Sequence, residues 1–284
     1  MERVVYVGGD FVRESEAKIS VFDRAFLFGD AVYEVSTVLG GKLVDNAAHL
    51  VRLERSLSEL RIDAPVALAD IPKLQKELIA RNDLDEGVVY LQISRGAADR
   101  DFGFPAEPKP ILVMFTQARP VIDVPAVKTG ISVITLDDWR WKRRDIKSVN
   151  LLAPVLAKQA AKDAGAGDAW MVEDGVVTEG SSNNAYIVTV DGKIVTRNLG
   201  HHILAGITRK AVLALAEEEG LTIEERGFTP EEAYGAAEAF VTSASTFVMP
   251  VVQIDGKPIS QGVPGPITQK LRQHYIAFAE ATAQ

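Results

Sequence analysis

Short apolar runs punctuated by glycine open the chain. Arg3 to Val7 and Phe11 to Arg13 flank Gly8-Gly9-Asp10, and Ala31 to Val38 and Lys42 to Val44 flank Gly40-Gly41. Each pair predicts a β-hairpin in which glycine supplies the positive φ of the turn. The period then changes: Leu50, Leu53, Leu57 and Leu60 recur at helical spacing behind Asn46, which predicts a helix capped by that asparagine. A second helix is expected after Asp70, with Pro72 tolerated in its first turn. Val88 to Ser94 and Ile111 to Thr116 read as strands separated by the Gly- and Pro-bearing loop Gly96 to Pro110. Strands with helices attached, rather than strict βαβ alternation, predict an α+β first half.

Pro120 and Pro125 lie in a polar, helix-poor stretch, so residues 120–130 are expected to link a smaller domain, 1–119, to a larger one, 131–284. In the second half a strand from Ile131 to Leu136 precedes a helix from about Leu151 to Ala164. A hairpin closed by Asp191-Gly192 follows, then a helix from Ile207 to Glu219 stopped by Gly220. Thr229-Pro230-Glu231-Glu232 is a capping box with proline at the first helical position. Strand Glu238 to Thr242, hairpin Asp255-Gly256 and a closing helix after Pro266 complete the pattern. No internal repeat interrupts it.

Composition narrows the chemistry. The 284 residues include no cysteine, which excludes disulfides, thiolate metal sites and cysteine nucleophiles. No apolar run approaches the roughly 18 residues of a membrane span, and no basic segment followed by an apolar one opens the chain, so a cytoplasmic protein without a membrane partner is expected. A net charge of −8 argues against nucleic acid, because phosphate binding needs a clustered positive field.

Three segments carry candidate chemistry. Lys147 follows Trp139-Arg140-Trp141-Lys142-Arg143-Arg144-Asp145-Ile146 and precedes the residues that open a helix. Nearby cations and a positive helix end favour the neutral amine of a Schiff-base nucleophile. The same run also reads as a solvated basic turn or as a small nucleic-acid patch. Leu204-Ala205-Gly206-Ile207-Thr208-Arg209 opens a helix whose free N–H groups suit a phosphate, or serve simply as a capped start. Thr178-Glu179-Gly180-Ser181-Ser182-Asn183-Asn184 holds more polar groups than a hairpin needs; an acid there could pair a protonated ring nitrogen, or the run is a solvated loop.

Asp145-Ile146-Lys147-Ser148-Val149-Asn150-Leu151-Leu152 and Val155-Leu156-Ala157-Lys158-Gln159-Ala160 resemble the fold-type IV pyridoxal-phosphate (PLP) enzymes, and within them the D-amino-acid aminotransferases. The likeness continues through Val177 to Ser182, Ile203 to Arg209 and Phe240-Val241-Thr242-Ser243. In the first half it includes Asp23-Arg24, Phe28 to Val35 and His49 to Leu53. It runs in order along nearly the whole chain. The fold implied has a small N-terminal α+β domain and a larger C-terminal domain with a barrel-like sheet and flanking helices.

The resemblance implies a role for each matching residue. Lys147 binds PLP covalently and shuttles the substrate proton, and Glu179 keeps the pyridine nitrogen protonated. Arg52 and the backbone of Ile207 and Thr208 hold the phosphate, with Ser182, Ser243 and Ala244 also beside the cofactor. Tyr33, Arg100 and Phe102 face the substrate, Arg100 reading its carboxylate through the guanidinium fork. Two positions depart from the pattern. Phe102 stands where a histidine is expected two residues after the arginine, and Ala244 where a threonine is expected. Amino acid and 2-oxo acid substrates, and a homodimer, are implied as well.

The activity expected is ping-pong transamination of D-amino acids, of the kind that converts D-alanine and 2-oxoglutarate to pyruvate and D-glutamate. Alternatives of the same fold are a branched-chain L-amino-acid aminotransferase, an (R)-amine aminotransferase and an aminodeoxychorismate lyase. A catalytically silent PLP binder and a nucleic-acid module using Trp139 to Arg144 are the alternatives of other classes. No metal is expected.

Overall fold

In a computed structural model that describes residues 2–284, the chain divides into two compact units. The first contains residues up to Pro120 together with Ile146–Asn150 and Glu280–Gln284; the second contains Val121–Asp145 and Leu151–Ala279. Each has its own sheet.

The first unit is built from β1 (Val4–Val7), β2 (Asp10–Arg13), α1 (Arg24–Phe28), β3 (Ala31–Leu39), β4 (Lys42–Leu43), α2 (Asn46–Leu60), α3 (Ile71–Arg81), β5 (Gly87–Ser94) and β6 (Ile111–Ala118). Its strands form one antiparallel sheet in the order β2-β1-β6-β5-β3-β4. Both expected hairpins are present, and the leucine stripe of α2 explains why that helix docks: Leu53 and Leu57 are buried with Val32, Leu91, Ile93 and Leu78 of the unit's core. The cap differs from expectation. Asp45, in the left-handed region at φ 53°, is the N-cap, and Asn46 is the first helical residue. The Asn46 amide instead accepts from Ser36 Oγ at 2.8 Å and donates to Gln75 Oε1 at 2.7 Å. A polar side chain half-buried between elements needs partners, and these tie β3, α2 and α3 together.

The second unit comprises α4 (Ala126–Thr129), β7 (Ile131–Asp137), α5 (Leu152–Asp163), β8 (Asp168–Glu173), β9 (Val176–Gly180), β10 (Asn184–Val188), β11 (Ile194–Thr196), α6 (Ile207–Glu218), β12 (Ile223–Glu225), α7 (Pro230–Tyr234), β13 (Glu238–Ser243), β14 (Phe247–Ile254), β15 (Lys257–Pro258) and most of α8 (Pro266–Thr282). The sheet runs β12-β11-β10-β13-β14-β7-β8-β9, with β15 beside β14, and is curled and mixed: β11·β12, β14·β7 and β7·β8 are parallel. The residues of β10, an inner strand, are all buried, as expected for a strand covered on both faces. Thr229 accepts from the Glu232 N–H at 3.1 Å, as the capping box requires.

The stretch 120–130, expected as a linker, belongs from Val121 onward to the second unit. Val121 is fully buried, and Arg272 Nη2 donates to the carbonyls of Val121 and Ile122 at 2.9 Å each. Residues 131–284, expected as one block, are also divided, because Ile146–Asn150 pairs with β3 of the first unit. No helix among the described residues is long and apolar enough to cross a membrane.

Candidate active site

Lys147 is held by its backbone. Its carbonyl accepts from the Tyr33 N–H at 3.0 Å, its own N–H donates to Ser56 Oγ at 3.3 Å, and the next residue, Ser148, bridges Val32. β3 can do this because its first residues pair with β5 along one edge only, leaving the other edge for residues 147–149. Nζ stands 4.2 Å from the centroid of the Tyr33 ring, which belongs to a stacked row Tyr33, Tyr90, Phe115. The expected helix end is not at Lys147: α5 starts at Leu152, and Lys147 lies in extended chain. The basic run before it is largely neutralised, since Arg140 pairs with Asp138 and Glu179, Arg143 with Asp145, and Arg144 with Glu173.

Arg52 projects from α2 into a buried cluster. Its Nε and Nη2 donate to the two oxygens of Glu34 at 2.7 Å each, and Glu34 Oε2 lies 2.7 Å from His49 Nδ1. The spacing of three between His49 and Arg52 puts both on one face of the helix. Burial alone would push the Glu34 carboxyl up; the charge of Arg52 and the hydrogen bonds from Arg52 and His49 instead hold it at about 2. Burial lowers the His49 pKa, against the opposing pull of the Glu34 carboxylate. Sequence reasoning gives neither Glu34 nor His49 a role; the available signal is a carboxylate and a histidine in the two segments that accompany the arginine.

Arg100 and Phe102 sit in the exposed loop after β5. The Arg100 guanidinium lies over the rings of Phe28 at 5.4 Å and Phe102 at 5.5 Å, and those rings are 5.4 Å apart. Among the described residues no carboxylate pairs with Arg100. The loop's neck requires glycine: Gly96 has φ +92°, and a Cβ there would overlap the Lys109 carbonyl.

Glu179, next to last in β9, is buried. It accepts from Arg140 Nη1, from Asn184 Nδ2 at 2.9 Å and from the Leu204 N–H at 3.1 Å. Burial raises its pKa, opposed by Arg140. Arg140 also donates to Asp138 through Nε at 2.9 Å and Nη2 at 2.6 Å, and Asp138 accepts from Thr178 Oγ1 at 2.6 Å. Asp168 gathers Ser181 Oγ and Asn183 Nδ2. The dense polar run 178–184 is therefore a hydrogen-bonded network around three carboxylates. Ser182 alone within that run is exposed. Asn184 lies in the polar run itself; Arg140 and Asp138 escape prediction because the pairing of β7 with β8 and of β8 with β9, not sequence spacing, brings the chain after β7 to Glu179.

Ile207 and Thr208 open α6, which no side chain caps. Thr208 is buried, Ile207 half-buried. Ser243 ends β13, its Oγ 2.7 Å from Thr246 Oγ1 and 3.4 Å from Ser245 Oγ; Ala244 is half-buried between them.

Each unit thus presents groups that PLP requires. The first offers a primary amine fixed by its backbone and a buried arginine; the second offers a desolvated acid with three donors, an uncapped helix start and a cluster of hydroxyls. An acid for the ring nitrogen, donors for a dianionic phosphate and an amine for the carbonyl carbon are the chemistry this cofactor asks for.

The sequence profile of the amino-transferase class IV family matches residues 31–254. The D-alanine aminotransferase of Staphylococcus haemolyticus is 38% identical over 280 residues, 98% of each chain, and that of Bacillus licheniformis 40% over 270 residues, 94% of each. A branched-chain amino acid aminotransferase from T.th., solved with pyridoxamine 5'-phosphate, is 28% identical with a TM-score of 0.90, covering 97% of this chain and 93% of that one. The Escherichia coli branched-chain enzyme, 22% identical with a TM-score of 0.89 over 98% and 95% of the chains, shares the fold. With a family match across most of its length and relatives of this identity from end to end, the chain belongs to the class IV aminotransferases.

Proposed function

We propose that the protein transaminates D-amino acids, with D-alanine as donor and 2-oxoglutarate as acceptor, in two half-reactions of a ping-pong cycle. The observation that carries the reaction class is the setting of Lys147, an amine fixed by two backbone hydrogen bonds against an aromatic ring. The D-alanine aminotransferases, 38–40% identical over nearly the whole chain, support the substrate class.

PLP, when bound, supplies an electrophilic carbon and a ring that accepts the electron pair released at the substrate's α carbon. Lys147 Nζ would take the proton from the donor's α carbon and pass it to the cofactor's C4′ carbon in the first half-reaction, and would move a proton the opposite way with the 2-oxo acid in the second. Glu179 holds a proton at the ring nitrogen; its three donors fix the carboxylate's direction. Arg52, the N–H groups of Ile207 and Thr208, and Ser243 hold the phosphate, with Ser182 and Ala244 beside the cofactor. Tyr33 packs against the reacting amine, and Arg100 takes the substrate carboxylate. Phe102, in place of a second donor, leaves that reading to one guanidinium.

A homodimer in the cytoplasm completes the proposal. Phe22, Phe26, Phe102 and Phe104 are exposed in the first unit and Trp139, Leu152, Val155 and Leu156 in the second, large apolar side chains that a partner subunit would cover. A monomeric mass in solution with full activity would refute the dimer.

The functional test follows cofactor absorbance during single half-reactions with D-alanine, L-leucine and an (R)-arylalkylamine, in the wild type and in Phe102→His. Conversion by D-alanine is expected. Conversion by L-leucine alone would overturn the proposal in favour of a branched-chain enzyme, and conversion by the arylalkylamine alone in favour of an amine aminotransferase.

A further inference from the structure

Two buried arginines of the first unit share one carboxylate. Arg24 Nε donates to Asp30 Oδ2 at 2.8 Å; Arg95 donates to Asp30 through Nε at 2.8 Å and Nη2 at 3.0 Å. Two cations on one anion leave a net positive charge, and a buried charge is retained only where its remaining N–H groups find strong acceptors.

The two arginines find them in different places. Arg95 turns to α2, giving Nη2 to the Leu60 carbonyl and Nη1 to the Arg61 carbonyl, both at 2.7 Å. It thereby satisfies acceptors at the helix C-terminus, where a cation is favourable. Arg24 turns to the loop, giving Nη1 to the Asp101 carbonyl at 2.7 Å and the Gly103 carbonyl at 3.1 Å. Those two carbonyls bracket Phe102. Arg24 also lies 4.7 Å from the Phe28 ring, the same ring that packs on Phe102 and underlies Arg100. At the far side of the loop, Phe104 lies 3.7 Å from Arg95. In this exposed loop, with two glycines nearby and a proline at residue 105, the backbone on either side of Phe102 is therefore fastened by the Arg24 guanidinium.

We propose that Arg24 is the positioning residue for carboxylate recognition: held by Asp30, it fixes the segment Asp101–Gly103 so that Phe102 and Phe28 hold the Arg100 guanidinium ready for the substrate's carboxylate. The inference rests on the reading above that Arg100 takes that carboxylate. Arg24 itself touches no substrate. It converts a mobile surface arginine into a pre-ordered one, which lowers the ordering cost of each binding event.

The experiment compares Arg24→Met, Arg24→Lys and Arg100→Leu in the PLP-loaded enzyme by steady-state kinetics, by inhibition with propionate, and by hydrogen exchange across residues 99–105. Arg24→Met should raise the KM for D-alanine and the Ki of propionate together by about tenfold, the scale of losing charged hydrogen bonds, with a much smaller change in kcat. Amide exchange in the loop should quicken and cofactor affinity should stay at the wild-type value. Arg24→Lys keeps a charge for Asp30 but lacks the fork that reaches two carbonyls, so it should fall between; it carries the test if Arg24→Met fails to fold. If Arg100→Leu raises KM and Ki while neither Arg24 variant does, the positioning role is overturned and the Arg100 reading stands. If Arg100→Leu changes neither constant, the Arg100 reading itself fails. Equal losses in kcat, KM and cofactor affinity in both Arg24 variants would mark Arg24 as a fold residue only and overturn the proposal.

Discussion

Arg140 joins Glu179 to Asp138: one guanidinium, nearly closed off from solvent, faces two buried carboxylates. Burial raises the Glu179 pKa, and Arg140 together with the Leu204 N–H opposes it. Arg140→Met should destabilise the protein by about 3–5 kcal/mol, the usual cost of stranding a buried charge. Adding Glu179→Gln should restore part of the loss. Thermal melts of the single and double variants check this; an unchanged Tm in Arg140→Met would contradict it.

Glu34 sets a limit at low pH. Its carboxyl titrates at about 2 in the folded protein against an ordinary 4.5. A depressed folded value means stability that is complete above the unfolded value and lost as pH falls from about 4.5 to about 2; the shift is worth about 3 kcal/mol. Glu34→Gln should melt lower at pH 7 and show a flatter decline between pH 5 and 3. Parallel curves for the two proteins would exclude this origin of acid sensitivity.

Gly206 is needed for space rather than for φ, which is an ordinary −66°. A Cβ there would overlap Asn184 Oδ1, and Asn184 donates both to Glu179 and to the Leu204 carbonyl at 3.0 Å. Gly206→Ala should cost about 1–3 kcal/mol by overpacking and weaken cofactor binding as Asn184 is displaced. Reconstitution of the apoprotein with PLP measures the second effect, and an unaltered affinity would show that Asn184 does not act through Glu179.

How far the sequence discloses the molecule depends on the range of the interaction. Hairpins closed by Gly40-Gly41 and Asp191-Gly192, the capping box at Thr229 and the leucine stripe of α2 are local, and the structure contains each of them. Asn46 shows where local reasoning fails: its amide serves Ser36 on β3 and Gln75 on α3, and Asp45 takes the N-cap position without a side-chain capping bond. Parallel pairs such as β7·β8 have no short-range signature, so the curl of the second sheet is legible only through the family likeness. At the candidate site the motifs mark Lys147, Glu179 and Arg52. Of the partners that tune them, His49 shares a helix face with Arg52 and Asn184 lies in the polar run of Glu179, whereas Glu34 and Arg140 reach them through strand register that the motifs do not encode.

Glu179→Gln separates binding from chemistry. The amide can still occupy the carboxylate's place but cannot hold the proton at the ring nitrogen, so kcat for D-alanine should fall by about 10²–10³-fold, the scale seen when one preorganised electrostatic group is removed. The KM should change far less. Steady-state kinetics check the split, and a loss confined to KM would assign Glu179 to substrate binding.

The first unit is finished by chain that arrives late. Ile146–Asn150 pairs with β3, and Gln284 exchanges two backbone hydrogen bonds with Leu43, at 2.9 and 3.0 Å. A ribosome that has made only residues 1–120 has therefore made an open sheet, with the edge of β3 that receives Lys147 still bare. Until residue 284 has emerged the unit lacks its last pairing partner, so nascent chains should need shielding from edge-to-edge association, and a cut at residue 120 leaves two pieces of chain, neither carrying the first unit whole.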